Sequence, residues 1–230
     1  ATGCAVVLKP AEQTPLSAIR LAELIAEVGF PEGVVNIVTG HGDAGAAIAN
    51  HSDVDKVAFT GSTEVGKKIV EASAGNLKKV TIELGGKSPN IVFPDADIET
   101  AAQGAASSIF FNQGQVCSAG SRLFVHEKIY EDVLSRMGEI ADGIKVGAGM
   151  SESTELGPLV SEEQFNRVNG FLDIGQRQGA NVCAGGSASD GAAVTGPSDN
   201  SFIRVIKSVI SRSRSFERSS ASCIVPEVCF

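Results

Sequence analysis

The chain has 230 residues, 43% of them hydrophobic and 20% charged, and a net charge of −8. This composition excludes a disordered chain, and the length excludes a small disulfide-stapled domain. The acidic balance argues against a non-specific nucleic-acid binder, and the lack of an apolar run of about 18 residues argues against a membrane-spanning protein. The five cysteines include no CxxC pair, which favours reduced thiols in the cytoplasm.

Short apolar strands alternate with helices over the first 84 residues. Strands are predicted at 5–9, 34–38, 56–60 and 80–84, and helices at 16–28, 44–50 and 62–73. Strands that are almost continuously apolar in this alternation indicate a parallel sheet with helices on both faces. Because a strand is predicted almost at residue 1, with no Met and no signal peptide before it, we expect the chain to start inside a domain.

A second α/β unit is predicted after Gly86. Strands are predicted at 90–93, 122–126 and 181–184, and helices at 97–111, 129–144 and 161–178. Asp97 is the expected N-cap of the first of these helices, and Ser161 begins a capping box that ends at Gln164. The last 44 residues hold 11 serines and four of the nine arginines, with a possible strand at 203–210. The predicted division is therefore 1–85, 86–186 and an atypical Ser/Arg-rich tail, 187–230.

Cys117 is the first candidate for chemistry. A free cysteine is more often a small core residue than a nucleophile, but this one lies in a loop of small residues between a helix and a strand. Gly114 and Gly120 would let the backbone of this loop approach a ligand closely. A thiol in such a loop can act as a nucleophile, and its own backbone N–H can stabilise an oxyanion.

Glu83, at the end of the fourth predicted strand, is the second candidate. A carboxylate among apolar residues is costly unless it is paired or functional. A salt bridge, for example to Lys87, and a general base whose basicity is tuned by burial are equally supported.

Two further segments follow strand ends. Gly61 and Ser62 lead into a helix N-terminus, which is either a phosphate site or an ordinary N-cap, and no GxGxxG motif is present. Lys9 and Glu12 follow the first strand, and taken alone they are typical of a solvated pair at a helix start.

Together and in this order, these segments resemble the NAD(P)-dependent aldehyde dehydrogenase superfamily. The matching stretches are 7–12 (VLKPAE), 59–66 (FTGSTEVG), 83–90 (ELGGKSPN) and 111–117 (FNQGQVC), within a match over about residues 1–186. The resemblance implies an α/β chain: part of a Rossmann-like parallel-sheet cofactor domain, then part of an α/β catalytic domain. It also implies a small-molecule aldehyde substrate and a family that is usually homo-oligomeric. The three histidines, His41, His51 and His126, form no cluster that suggests a metal site.

The resemblance implies a defined chemistry. Cys117 would attack the aldehyde to give a thiohemiacetal, loss of hydride to the nicotinamide would leave a thioester, and Glu83 would activate the water that hydrolyses it. Lys9 and Glu12 match positions that hold the adenosine ribose, where a carboxylate would repel a 2′-phosphate and so favour NAD over NADP. The remaining cofactor positions implied are those near the pyrophosphate, the adenine and the ribose: Gly61, Ser62, Val65 and Gln164.

The sequence also departs from the family pattern. The family's oxyanion asparagine would precede residue 1, and no Glu-x-Phe-Gly-Pro segment follows Gly186, where 214–220 (RSFERSS) stands instead. Our hypothesis is that the chain from about Ser187 onward comes from a frameshift. Resequencing the DNA tests this, and an intact frame that encodes the same tail would disprove it.

Two other functions are weighed against aldehyde oxidation. An acyl-phosphate reductase also forms a cysteine thioester, but it needs no hydrolytic base, so Glu83 in its motif argues against it. A non-catalytic remnant that only binds nucleotide or partners is favoured by the departures at both ends of the chain.

Overall fold

A computed structural model describes residues 3–186 with their side chains and, beyond them, the backbone of the strands at 189–190, 204–205, 208–212 and 221–224. The chain divides into two compact units, Ala1–Leu84 and Gly85–Phe230. Across the described residues, none of the helices combines the length and the apolar character needed to cross a membrane.

The first unit alternates strands and helices, as predicted. Its elements are β1 (Val6–Leu8), α1 (Leu16–Val28), β2 (Val35–Ile37), α2 (Gly42–Asn50), β3 (Lys56–Gly61), α3 (Thr63–Ser73) and β4 (Lys79–Leu84). β1 pairs in parallel with β2, and β3 pairs in parallel with β4. The predicted parallel pairing is confirmed, although these strands form two separate ladders rather than one continuous sheet.

The β1–β2 ladder is more exposed than predicted. Val6, Val7 and Leu8 are 48%, 49% and 39% exposed, and within the described chain α1 has no buried residue. The prediction that helices cover both faces is therefore wrong for β1. The ends of α1 agree with the prediction because Gly29 adopts the left-handed conformation (φ 83°) that terminates a helix.

Close packing of α3 on β4 depends on Gly66. A Cβ atom built at Gly66 would lie 2.6 Å from Leu84 Cδ2 and 3.3 Å from Ile82 Cγ2. A side chain at this position would therefore displace the Leu84 side chain or push α3 away from the strand that carries Glu83.

Replacing Gly66 with valine is expected to lower the free energy of unfolding by about 1–3 kcal/mol, the usual cost of overpacking. Gly42→Val is the matched control, because a Cβ at Gly42 meets nothing within 4 Å. Urea unfolding followed by circular dichroism measures both variants. Equal free energies of unfolding for the two would contradict the packing argument.

The second unit contains a five-stranded mixed sheet with helices. Its described elements are β5 (Pro89–Val92), α4 (Ile98–Phe110), a 3₁₀ turn (Phe111–Gly114), β6 (Arg122–Val125), α5 (Tyr130–Gly143), α6 (Glu162–Arg177), β7 (Ala180–Gly185), β8 (Ser189–Asp190), β9 (Arg204–Val205), β10 (Ser208–Arg212) and β11 (Ala221–Ile224). The strand order is β5-β6-β11-β10-β7, with β5 and β6 parallel and the other neighbours antiparallel. Its core includes three fully buried residues of α4 and α5, Ala102, Val133 and Ala141.

Helix α4 begins as predicted. The Asp97 carboxylate accepts a hydrogen bond from Thr100 N at 2.9 Å, so Asp97 is confirmed as the N-cap. Hydrogen bonds from the Thr100 side chain and backbone hold the pKa of Asp97 below its ordinary value. A charged N-cap also interacts favourably with the helix dipole.

The tail contributes backbone strands to the second unit. β10 pairs with β7, and β11 pairs with β6. The strand predicted at 203–210 overlaps β9 and β10, whereas 214–220 lies outside the described residues. The frameshift hypothesis and the boundary at residue 186 stay predictions.

Candidate functional site

Cys117 is half-buried in the loop between the 3₁₀ turn and β6. Within the loop, Ala119 N donates to Val116 O at 3.0 Å. Gly120 N donates to Ser108 O, on α4, at 3.1 Å. The loop is therefore anchored on the last turns of α4.

Two glycines allow close contacts around this loop. A Cβ at Gly120 would lie 2.5 Å from Ser108 Oγ, and a Cβ at Gly86 would lie 3.1 Å from Cys117 O. The expectation that Gly120 leaves room for a ligand is wrong, because Ser108 occupies that space. Both glycines instead let neighbouring segments pack against the loop that holds Cys117.

The turn before Cys117 has an unusual backbone. Asn112, Gln113 and Gly114 have φ angles of 50°, 58° and 75°, so three consecutive residues are left-handed. This conformation is unfavourable for non-glycine residues and persists only where surrounding contacts enforce it. The Gln115 side chain, only 6% exposed, provides one such contact, since its Oε1 accepts from Val160 N at 3.1 Å.

Sequence reasoning assigned no role to Gln115. The sequence marks Gln115 only as a polar residue among small and apolar residues directly before the cysteine. For the left-handed conformation Asn112 is a weak signal, because asparagine adopts it more often than other non-glycine residues, whereas Gln113 gives no signal.

A cavity of about 980 Å³ adjoins the cysteine loop. Val116 and Ser118, on either side of Cys117, line it. Apolar side chains from the end of α4, the 3₁₀ turn, α5 and the segment after α5 also line the cavity. They are Phe110, Phe111, Ile140, Ile144 and Leu156. A large, mostly apolar cavity beside the loop that holds Cys117 suits a small organic ligand.

Glu83 is exposed, contrary to the buried position that sequence reasoning expected. The reason is the alternation of β4, in which Lys79, Thr81 and Glu83 share its exposed face. In the described part of the chain, the Lys87 ammonium is buried without a hydrogen-bond partner. The structure therefore offers no support for a salt bridge between Glu83 and Lys87.

Lys9 and Glu12 contact each other at the carboxyl end of β1. Lys9 Nζ donates to Gly40 O at 2.9 Å, to Pro10 O at 2.8 Å and to Glu12 Oε2 at 3.4 Å. The Lys9 side chain is only 16% exposed, so it is not the solvated residue that the sequence alone suggested. A hydrogen bond from its own backbone N–H, followed by Lys9 and His41, holds the pKa of Glu12 below its ordinary value.

The end of β3 leads directly into α3. Gly61 is the last residue of the strand, and Ser62 is the N-cap, whose Oγ accepts from Val65 N at 3.3 Å. This segment therefore has the N-cap that the sequence suggested. The helix N-terminus lies at the carboxyl end of a parallel strand, which is where ligands bind in such sheets.

Gln164 lies in the first turn of α6 and is half-buried. Its backbone N–H donates to the N-cap Ser161 Oγ at 3.2 Å, so the predicted cap is present. Across the part of the chain that the structure describes, no three His, Cys, Asp or Glu side chains are grouped to hold a metal ion.

Comparison with known proteins places these features in a family. The model of the aldehyde dehydrogenase family matches residues 1–202. Mitochondrial aldehyde dehydrogenase from Mesocricetus auratus is 56% identical over 193 residues, which are 83% of this chain and 39% of that protein. Phenylacetaldehyde dehydrogenase from Pseudomonas fluorescens is 54% identical over 188 residues, 81% of this chain and 38% of that protein.

Solved structures support the same family assignment. The NAD⁺ complex of aldehyde dehydrogenase from Bacillus cereus superimposes with a TM-score of 0.84 at 53% identity, and covers 91% of this chain and 41% of that chain. This chain thus spans about two fifths of the length of the relatives that it matches. The sequence match, the shared fold and the family motifs together establish that the chain belongs to the aldehyde dehydrogenase family.

Proposed function

We propose that this chain functions in the NAD-dependent oxidation of an aldehyde to a carboxylate through a covalent intermediate on Cys117. The observation that carries the proposal is the half-buried thiol in an anchored loop beside a cavity of about 980 Å³. Such a loop holds a nucleophile in one orientation, and the cavity has room for the side chain of an aldehyde. Family membership supports the same reaction.

In the proposed chemistry, Cys117 acts as the nucleophile. Its thiol gives its proton to solvent, and the sulfur attacks the aldehyde carbon to form a thiohemiacetal, whose oxyanion the Cys117 N–H stabilises. When bound, NAD supplies the acceptor for the hydride lost from that carbon. Cys117 then carries a thioester, and Glu83 removes a proton from the water that attacks its carbonyl carbon. The carboxylate leaves, and the thiol is restored.

The proposed NAD-binding residues Lys9, Glu12, Gly61, Ser62 and Val65 lie in the first unit, and the role of Gln164, in the second unit, stays a prediction from the family resemblance. The Lys9 ammonium and the Glu12 carboxylate supply the donor and acceptor that ribose hydroxyls require. The N-terminus of α3 after Gly61, with Ser62 and Val65, suits a pyrophosphate. An ionised Glu12 favours NAD over NADP, because it repels a 2′-phosphate.

Glu12→Gln is expected to raise the ratio of kcat/KM with NADP to kcat/KM with NAD by about 10-fold, since removing one repulsive charge near a phosphate is worth about 1 kcal/mol or more. Initial rates with each cofactor measure this ratio. Glu23→Gln, on the exposed surface of α1, is the control and should leave the ratio unchanged. An unaltered ratio in Glu12→Gln would place the adenosine ribose elsewhere.

The apolar lining of the cavity favours aldehydes with apolar or aromatic side chains as substrates. The name of the Pseudomonas fluorescens relative supports phenylacetaldehyde as one test compound. We also propose a cytoplasmic location, because the chemistry needs Cys117 in its reduced form.

The deciding experiment measures NADH formation by the purified chain with phenylacetaldehyde, benzaldehyde and acetaldehyde, with and without inorganic phosphate. Phosphate-independent NADH and carboxylate formation supports the proposal. Formation of an acyl phosphate only when phosphate is present would identify an acyl-phosphate reductase instead. If the chain binds NAD but forms no NADH from any of the aldehydes, it is a nucleotide-binding member of the family without aldehyde dehydrogenase activity.

A further inference from the structure

Gln115 is a buried polar residue that connects two distant segments of the second unit. It is 6% exposed, and its Oε1 accepts from Val160 N at 3.1 Å, across 45 positions of sequence. Its Nε2 donates to Asn112 O at 3.4 Å, and its backbone N–H donates to the same oxygen at 3.0 Å. Buried amides are costly unless hydrogen-bonded, so Gln115 is held firmly in this position.

The side chains around it strengthen the same connection. Asn112 Nδ2 donates to Gln115 O at 3.2 Å. The Gln113 amide is oriented so that both of its polar atoms form hydrogen bonds. Its oxygen accepts from Gly157 N at 3.2 Å, and its nitrogen donates to Asn112 O at 3.1 Å. Two glutamine side chains therefore hold the turn against the 157–160 segment.

The turn that these contacts hold is the left-handed one. Asn112 and Gln113, with φ angles of 50° and 58°, would relax toward ordinary backbone conformations without them. Only Val116 separates Gln115 from Cys117, so a relaxation of the turn moves the thiol. The hydrogen bond that Gly120 N donates to Ser108 O, on α4, anchors the other end of the loop.

We propose that Gln115 is a positioning residue for Cys117: by binding Val160 N, it enforces the left-handed turn and so sets the orientation of the thiol. This assignment depends on one part of the proposed function, namely that Cys117 is the nucleophile. A displacement of a reacting atom by about 1 Å can cost on the order of 100-fold in rate, so a restraint this close has a large effect.

Three variants of the full chain test the assignment. Gln115→Met keeps the size of the side chain and removes every hydrogen bond it makes. Gln115→Glu retains an acceptor for Val160 N but cannot donate to Asn112 O. Gln176→Met makes the same chemical change at an exposed position of α6 and is the control.

Hydrogen exchange provides the first readout and does not depend on activity. In Gln115→Met, peptides covering 111–118 and 157–161 should exchange faster, whereas peptides from α5 should not. In Gln115→Glu, the protection of the Val160 N–H should be retained. Unchanged exchange at Val160 in Gln115→Met would overturn the proposal.

Alkylation of Cys117 by iodoacetamide, followed by mass spectrometry at several pH values, provides the second readout, with the exposed Cys183 as internal reference. In Gln115→Met the ratio of the Cys117 and Cys183 alkylation rates should change, because relaxation of the turn moves the thiol, whereas Gln176→Met should leave this ratio unchanged. A merely structural role of Gln115 would leave the ratio at the parental value in every variant. If Gln115→Met does not fold, Gln115→Glu decides: a Val160 N–H that exchanges faster together with an unchanged alkylation ratio rejects the assignment.

Steady-state rates provide the third readout. Gln115→Met should lower kcat by about 10- to 100-fold with little change in the KM for NAD, and Gln115→Glu should recover part of that loss. An equal kcat in Gln115→Met and Gln176→Met would overturn the proposal. If the unaltered chain forms no NADH, the proposed function is wrong. Hydrogen exchange and alkylation then still test whether Gln115 positions Cys117, because neither depends on activity.

Discussion

Replacement of Cys117 with alanine is expected to lower the rate of NADH formation by on the order of 10⁴-fold or more, the scale seen when a covalent nucleophile is removed. The effect is this large because the proposed reaction has no second route to the thioester. Without the sulfur, the aldehyde carbon gains no tetrahedral intermediate from which a hydride can leave. NADH absorbance with phenylacetaldehyde measures the rate.

Cys183→Ala is the matched control for this prediction. Cys183 is exposed on β7, where its Sγ lies 3.9 Å from Asn181 O, far along the chain from the anchored loop. Its replacement should leave both the rate and the unfolding transition unchanged. Activity that survives in Cys117→Ala, or that is lost equally in both variants, would remove Cys117 from the mechanism.

Local patterns predicted most of the secondary structure around these residues. The apolar spacing of α1 gave both of its ends, because Gly29 stops the helix as a left-handed residue. Asp97 and Ser161 were recognised as N-caps because capping depends on a side chain and a backbone N–H only three residues apart. Such short-range chemistry is visible in a sequence.

Longer-range features were not predictable in this way. The exposure of Glu83 follows from which face of β4 is covered, and that depends on residues distant in the chain. The Gln115 contact joins residues 45 positions apart. Glycine at position 120 indicates a close approach to the backbone, but only the fold shows that the approaching group is Ser108 and not a ligand. Residue type indicated a special position in each case, and tertiary contacts decided its use.

Glu83→Gln is expected to separate the two halves of the proposed reaction. Amide replaces carboxylate without changing the size of the side chain, so attack by Cys117 and the first formation of NADH should persist. Hydrolysis loses its general base, and steady-state turnover should fall by about 10²–10⁴-fold. Rapid mixing should therefore show a burst of NADH close to one per Cys117, followed by a slow phase.

The intermediate itself can be observed in this variant. Mass spectrometry of Glu83→Gln after mixing with aldehyde and NAD should show an acyl group on the peptide that contains Cys117, and this adduct should be removed by hydroxylamine. Glu71→Gln, a similar change at an exposed position of α3, should show neither the burst nor the adduct. Because Glu83 is exposed in this structure, the effects of Glu83→Gln report on its role as a base and not on the loss of a buried carboxylate. A Glu83→Gln variant that turns over at the parental rate without accumulating the adduct would show that another group activates the water.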